Sequence, residues 1–133
     1  MNVALWIIAG VLATAFLAGG ASKIIFPKEK LVAFGRRLGE DLIGWIEAFP
    51  TGAVKAIGVV EVLAAVGLIL PAALGIAPVL VPLAATGLVL LMAGAMITHQ
   101  RRHEARPILG NALYLALAAF VAWGRFGPES FTG

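Results

Sequence analysis

One carboxylate, Glu61, lies inside a long apolar stretch of this chain, Lys55 to Pro71. A charged side chain at the centre of a bilayer costs at least about 2.5–3.5 kcal/mol on insertion scales, so such a residue is rarely incidental. A carboxylate in a membrane cavity can transfer a proton or bind a ligand. We expect Glu61 to do one of these, as an acid or base. The alternative is that a hydrogen-bonded Glu61 only fixes the packing of neighbouring helices.

The positions around Glu61 indicate which way its side chain points. At 100° per residue, Glu61 shares a helix face with mostly small residues, which let neighbouring helices approach. This face consists of Gly58, Glu61, Val62, Ala65 and Leu68, and the opposite, bulkier face of Val59, Val60, Leu63, Val66 and Leu70. We expect Glu61 to point into a helix bundle and the bulky face to contact lipid.

The depth of Glu61 in the membrane selects its expected partners. About ten residues at 1.5 Å each separate it from Thr51, which places it about 15 Å deep, near the centre of a core about 30 Å thick. Tyr114 and Thr14 have matching depths in other apolar segments. We expect Tyr114 to donate a hydrogen bond to Glu61 and to be the second catalytic candidate. Thr14 is the next choice.

Other polar side chains could form a polar cluster or bind a ligand. The candidates are Lys23, Lys55, His99, Asn111 and Arg125. All but Arg125 belong to one membrane face, below Glu61. For the lysines and the arginine, the alternative is that the long side chain reaches out to the interface. Asn111 has the alternative of a hydrogen bond to another helix.

No metal site is expected. His99 and His103 are four residues apart and could share a helix face, but a solvated cationic loop explains them without a metal. The chain has no cysteine, which excludes thiol redox chemistry, c-type haem attachment and an iron–sulfur cluster held by the chain alone.

The elements that position these residues are apolar helices. Hydrophobic residues make up 61% of the 133 and charged residues 13%, whereas soluble domains have about 45–50% and about 25%. Four segments are long enough to span a bilayer: residues 3–21, 52–71, 76–98 and 107–124. The sequence therefore predicts an all-α, integral membrane four-helix bundle, as a single domain over residues 1–133.

The segment between the first two spans has its own pattern. Its apolar residues follow helical spacing, with charges between them: Leu31, Phe34, Leu38, Leu42, Trp45, Ile46 and Phe49. This pattern predicts one or two amphipathic helices in the headgroup region. A docking surface for a partner protein is the alternative.

The basic residues predict the orientation. With four spans, nine of the ten Lys and Arg residues lie on one side and only Arg125 on the other, which places both termini outside. Because the charges are confined to a few short segments, the basic balance indicates a membrane protein and not a nucleic-acid partner.

Several stretches resemble the DoxX-like family of small bacterial membrane proteins over nearly the whole chain. They are "GGASKI", "KAIGVVEVLAAVGLILPAALGIAP", "PLAATGLVLLMAGAMITHQRR" and "AFVAWGRF". The pattern of Lys55, Gly58 and Glu61, followed by His99 and Arg125, is what carries the resemblance. It implies a four-helix bundle in the bacterial inner membrane.

The resemblance also implies a redox association. The wider group includes proteins similar to a subunit of thiosulfate:quinone oxidoreductase, proteins tied to methylamine dehydrogenase maturation, and members associated with oxidative-stress complexes at the membrane. The leading expectation is a subunit or accessory factor of a membrane redox system, with a redox partner protein and a quinone near Glu61.

Two further hypotheses stay open. One is an autonomous enzyme that isomerises or ring-opens a lipophilic substrate, with Glu61 as acid or base. The other is a small permease or ligand-binding bundle, which would act as a homo-oligomer because four helices leave little room for a pore.

Overall fold

The computed structural model describes residues 2–37 and 40–130, except for the side chains of residues 40–43. This part of the chain is helical and contains no strand. Its elements are α1 (Asn2–Ile25), α2 (Lys28–Arg36), α3 (Glu40–Ala48), α4 (Thr51–Leu74), α5 (Leu80–Arg101) and α6 (Ala105–Phe126).

Four of these helices, α1, α4, α5 and α6, are each long and apolar enough to cross a membrane. The prediction of an all-α membrane bundle with four spans is confirmed. All eight helix boundaries differ from the expected span boundaries, by one to four residues, and two of the differences have a visible cause in the backbone. Helix α4 continues through Pro71 and ends where Gly75 takes a left-handed φ of 68°, a conformation that glycine adopts without strain. Helix α5 begins at Leu80 and not at residue 76, because Ala77 also has a positive φ, of 46°, in the connecting turn.

The four long helices form a closed ring in the order α1, α4, α5, α6. The packing is most extensive within the pairs α1–α4 and α5–α6. The centre of the ring is filled by apolar side chains, among them Leu5, Leu12, Leu68, Leu88 and Val121. Close packing of such side chains supplies the main stabilisation available within a membrane, where lipid removes most of the hydrophobic driving force between helices.

The two faces of α4 lie as predicted. Gly58, Glu61, Ala65 and Leu68 are buried, whereas the bulky residues Val59, Val60, Leu63, Val66 and Leu70 are 41–65% exposed on the outside of the bundle. Glu61 therefore points into the bundle, and the bulky apolar face lies on its outside.

Helices α1 and α4 cross at two glycines. A Cβ atom built on Gly58 would lie 2.7 Å from the carbonyl oxygen of Gly20, and one built on Gly20 would lie 2.6 Å from the carbonyl oxygen of Gly58. Only glycine permits backbones to approach this closely. The crossing fixes the spacing of α1 and α4 next to Glu61.

Helices α2 and α3 lie at the end of the bundle where α1 ends and α4 begins, called here the α2–α3 end. The prediction of one or two amphipathic helices is confirmed as two. Ile46 packs on Val54 at the start of α4, with Leu31, Trp45 and Phe49 around them. Of the apolar pattern, Leu38 and the side chain of Leu42 lie outside the described residues.

Lys28 fixes the end of α3. Its Nζ donates hydrogen bonds to the carbonyl oxygens of Glu47 and Phe49, at 3.1 and 2.8 Å. These oxygens lack partners within the helix, and a cation there also opposes the negative end of the helix dipole. Arg36 adds an exposed ion pair with Glu47 at 3.3 Å. The segment between the first two spans is thus a closed helical hairpin.

Candidate functional site

The carboxylate of Glu61 forms an ion pair with Lys23. Nζ of Lys23 lies 2.8 Å from Oε1 of Glu61, and the two side chains are 16% and 8% exposed. Lys23 is in the last turn of α1 and Glu61 near the middle of α4, one turn beyond Gly58. The close Gly20–Gly58 crossing lies beside this pair, so backbone approach and ion pairing occur at one place.

This pairing differs from the expected one. In the described part of the chain, Tyr114 makes no hydrogen bond to Glu61; its ring packs edge-on against Phe16 at 5.3 Å between centroids. The interpretation of Lys23 as a side chain that extends to the interface is wrong, because Lys23 turns inward to Glu61. Depth matching failed here because the Lys23 side chain reaches back along α1 to the level of Gly19.

Glu61 and Lys23 lie on the wall of a cavity of about 630 Å³. The cavity lies between the α1–α4 and α5–α6 pairs, in the half of the bundle nearer α2 and α3. Its wall is mostly apolar, and five of the eight candidate residues line it: Lys23, Glu61, His99, Asn111 and Tyr114. Such a volume and wall are typical of small-molecule sites, which range over about 300–1,000 Å³ with a few placed polar groups.

The other three candidates lie elsewhere. Thr14 is exposed, and its hydroxyl donates to the carbonyl oxygen of Gly10 in its own helix at 2.8 Å. Lys55 donates from Nζ to the carbonyl oxygen of Ile24 at 2.8 Å, so it satisfies the end of α1 and not Glu61. Neither residue lines the cavity with Glu61.

Arg125 lies at the opposite end of the bundle. It is 4% exposed, and its guanidinium donates to Oδ1 of Asn2 at 2.7 Å and to the carbonyl oxygen of Glu129 at 2.9 Å. It also lies over the ring of Trp6, 5.8 Å from the centroid. These contacts join the first turn of α1 to the segment that follows α6, and Arg125 does not line the cavity.

His99 is oriented by an acidic neighbour. Its Nδ1 lies 2.9 Å from Oε1 of Glu104, and the same carboxylate oxygen accepts from Nε of Arg102 at 3.2 Å. A backbone hydrogen bond of 2.9 Å from Glu104 to the carbonyl of His99 closes the turn. His99 is 6% exposed, whereas His103 is exposed in the turn with a φ of 57°. The two histidines therefore have different environments.

Asn111 presents an unsatisfied donor. Its Nδ2 is buried and has no hydrogen-bond partner among the described residues, although the residue lines the cavity. A buried amide nitrogen without a partner costs about 1–3 kcal/mol. A ligand with an acceptor atom would remove this cost.

Helix α3 covers the α2–α3 end of the cavity, which the sequence reasoning did not foresee. Trp45 and Phe49 line the cavity, and Nζ of Lys23 lies 5.8 Å from the centroid of a Trp45 ring. Gly44 packs against the Arg102–Glu104 turn, where a Cβ would strike the Arg102 guanidinium. The i, i+4 spacing of Trp45 and Phe49 predicts an apolar helix face. It does not indicate whether that face packs on lipid or on the bundle.

The opening of the cavity reaches the outer surface of the bundle. Four of its lining residues, Leu90, Gly94, Arg106 and Gly110, are exposed, and Leu90 is 69% exposed. A lipophilic molecule can therefore enter from the side. The polar groups on the wall can hold a polar end, donate hydrogen bonds and exchange a proton. The described residues include no group of three His, Cys, Asp or Glu side chains placed to hold a metal ion.

A model of the DoxX-like family matches residues 7–121 of the chain. Searches of curated proteins and of solved structures found no match. The family match covers most of the 133 residues and includes Lys23, Glu61, His99, Asn111 and Tyr114. This small, multi-pass integral membrane protein therefore belongs to the DoxX-like family.

Proposed function

We propose that this protein is a small subunit or accessory factor of a bacterial inner-membrane redox system, and that its cavity binds a quinone. The observation that carries the proposal is the Lys23–Glu61 ion pair on the wall of a mostly apolar cavity of about 630 Å³. A quinone combines an apolar ring and tail with carbonyl oxygens, which need few and well-placed hydrogen-bond donors. The wall offers such donors at Lys23 and at Nδ2 of Asn111.

The ion pair supplies the proton chemistry. Reduction of a quinone to a hydroquinone takes up two electrons and two protons. Lys23 donates a hydrogen bond to one carbonyl oxygen as negative charge develops on it. Glu61 takes up a proton from water and passes it to that oxygen, and the other oxygen takes the second proton from water. A redox partner protein supplies the two electrons.

The side opening supports a lipophilic ligand. Leu90, Gly94 and Gly110 lie on both the cavity wall and the bundle surface. A molecule dissolved in the bilayer reaches the ion pair through this opening without crossing water. In the proposed orientation the α2–α3 end faces the cytoplasm, since nine of the ten Lys and Arg residues belong to that side.

Quinone binding can be measured at Trp45. Trp45 lines the cavity, and the chain has three tryptophans, so the double variant Trp6→Phe, Trp123→Phe isolates its fluorescence. We expect decylubiquinone to quench Trp45 saturably in detergent micelles or nanodiscs. Loss of a hydrogen bond to a charged group in Lys23→Met is expected to weaken binding about 10- to 100-fold.

The matched control is Lys30→Met. Lys30 is an exposed lysine of α2 that does not line the cavity, so this variant is expected to bind as the parent does. Quenching that does not saturate, or that is equal in the Lys23 and Lys30 variants, contradicts the proposal, because decylubiquinone would then be quenching from the micelle and not from the cavity.

A second candidate is an autonomous enzyme that acts on a lipophilic substrate. The observation in its favour is that Lys23, Glu61, His99 and Tyr114 all face one cavity, which is more proton-transfer capacity than binding alone requires. Turnover by the isolated chain distinguishes the two. An enzyme converts its substrate alone and loses turnover in Glu61→Gln, whereas the accessory factor needs its redox partner.

A further inference from the structure

A second polar position lies in the same cavity, away from the ion pair. It consists of His99 near the end of α5 and Asn111 in the second turn of α6, both on the cavity wall. Because α5 and α6 are antiparallel neighbours, these two residues belong to the same end of the bundle.

The contacts of His99 select one tautomer. A carboxylate accepts hydrogen bonds and does not donate them, so the 2.9 Å contact from Nδ1 to Oε1 of Glu104 places a hydrogen on Nδ1. In a neutral ring Nε2 then carries none and is an acceptor. Among the described residues, Glu104 is the hydrogen-bond partner of this ring, through Nδ1, and His99 lines the cavity.

Glu104 is itself held in place from two sides. Arg102 donates to it from Nε at 3.2 Å, and Gly44 of α3 packs so closely that an added Cβ would lie 3.1 Å from Oε2 of Glu104. Glu104 is thus a positioning residue for His99. Its orientation depends on the docking of α3 over the cavity.

Asn111 complements this acceptor with a donor. Its Nδ2 is buried without a partner, so the position offers one acceptor and one donor. A hydroxyl oxygen satisfies both kinds of group, because it donates one hydrogen bond and accepts others. A carbonyl oxygen satisfies only Asn111.

We propose that His99 and Asn111 form a hydroxyl-binding site, so that the cavity binds the hydroquinone form of its ligand more tightly than the quinone form. This inference rests on the proposed function, since it specifies which oxidation state that cavity prefers. Nε2 of His99 accepts a hydrogen bond from the ligand hydroxyl. Asn111 donates to the same hydroxyl oxygen or to an oxygen on the adjacent ring carbon.

The tautomer of His99 is the first test. The chain has two histidines, so ¹⁵N-labelled protein gives two imidazole spectra, and the exposed His103 serves as the internal control. We expect long-range ¹H–¹⁵N correlation spectra to show His99 with hydrogen on Nδ1 and a bare Nε2. A ring with hydrogen on Nε2, or on both nitrogens, overturns the proposal.

The second test compares the two oxidation states. Decylubiquinol, kept reduced under anaerobic conditions, and decylubiquinone are titrated into the same sample. We expect the quinol to shift the Nε2 resonance of His99 and to bind about tenfold more tightly, as one additional hydrogen bond allows. His99→Phe is expected to remove that preference, so that the two forms bind equally tightly. Glu104→Gln leaves the His99 ring in place but no longer fixes its tautomer, so this variant is expected to reduce the preference for the quinol.

The outcomes separate this inference from the proposed function. Equal affinities for the two forms, with no response at His99, overturn the hydroxyl site and leave quinone binding at Lys23 and Glu61 intact. Binding of neither form overturns both proposals.

Discussion

Gly58→Ala is expected to separate α1 from α4 and to weaken the site beside their crossing. The added Cβ would lie 2.7 Å from the carbonyl oxygen of Gly20 and 2.8 Å from Cβ of Lys23. A carbon–oxygen contact of this kind has an ordinary distance of about 3.3–3.6 Å, so the helices must move apart by about 0.6–0.9 Å. Both obstacles are backbone or near-backbone atoms, which cannot rotate away.

The expected cost follows from overpacking a tight interface. Inserting a methyl group into a well-packed core typically costs about 1–3 kcal/mol, and the helix preference for alanine over glycine returns about 1 kcal/mol. We therefore expect a net loss of up to about 2 kcal/mol. Quinone binding is expected to weaken as well, because Lys23 is displaced from Glu61.

The assay is unfolding in mixed micelles, followed by circular dichroism, beside quenching of Trp45. Gly52→Ala on the same helix is the matched control, since a Cβ there meets nothing within 4 Å. If Gly58→Ala is as stable as Gly52→Ala and binds quinone equally well, the crossing does not set the geometry of the ion pair, and this reasoning is refuted.

Three further predictions concern the charged residues. Lys23→Ala leaves the Glu61 carboxylate without its partner, 2.8 Å away, and is expected to lower the free energy of unfolding in micelles by up to about 3–5 kcal/mol. The double variant Lys23→Met, Glu61→Leu is expected to recover the stability but not quinone binding. Equal stability of the single and double variants contradicts this prediction. Lys28→Ala removes the hydrogen bonds to the carbonyl oxygens of Glu47 and Phe49 and is expected to increase the rate of proteolysis within residues 40–50. An unchanged rate of cleavage contradicts this prediction. Arg125→Met removes the hydrogen bonds to Asn2 and to the Glu129 carbonyl and is expected to cost about 1.5–3 kcal/mol without affecting ligand binding; a loss of binding would place Arg125 in the site.

The bundle was predictable because its determinants are local. Each span is a continuous apolar segment, and the two faces of α4 follow from helical periodicity alone. The inward direction of Glu61 came from the same periodicity, since small residues at Gly58 and Ala65 mark the helix-packing face. The separation of bulky and small side chains was therefore enough to place a carboxylate inside the bundle.

The partner of Glu61 was not predictable from depth. Lys23 belongs to the last turn of α1, yet its long side chain runs along the helix to the carboxylate, and the Gly20–Gly58 crossing brings the two helices close enough. Thr14 failed for a different reason. Its depth was appropriate, but the rotation of α1 turns it outward, where its hydroxyl bonds to Gly10.

The position of α3 over the end of the cavity depends on tertiary packing, which amino-acid composition does not predict. Trp45 and Phe49 form an apolar face that suits a lipid headgroup region as well as the end of a bundle. The contact of Gly44 with the Arg102–Glu104 turn decides between these. Glu104 lies five residues after His99 in a cationic loop, and nothing in its spacing indicated that it would orient the imidazole.

Native mass spectrometry of the protein purified from its own host in a mild detergent tests the central claim most directly. Gly94→Leu and Gly87→Leu provide a matched pair on α5: both glycines are exposed and open, with nothing within 4 Å of an added Cβ, but only Gly94 lines the cavity. We predict a bound molecule of quinone mass on the wild-type chain and on Gly87→Leu, and its loss from Gly94→Leu. A wild-type chain without such a molecule, or one that keeps it in Gly94→Leu, would contradict quinone binding in this cavity.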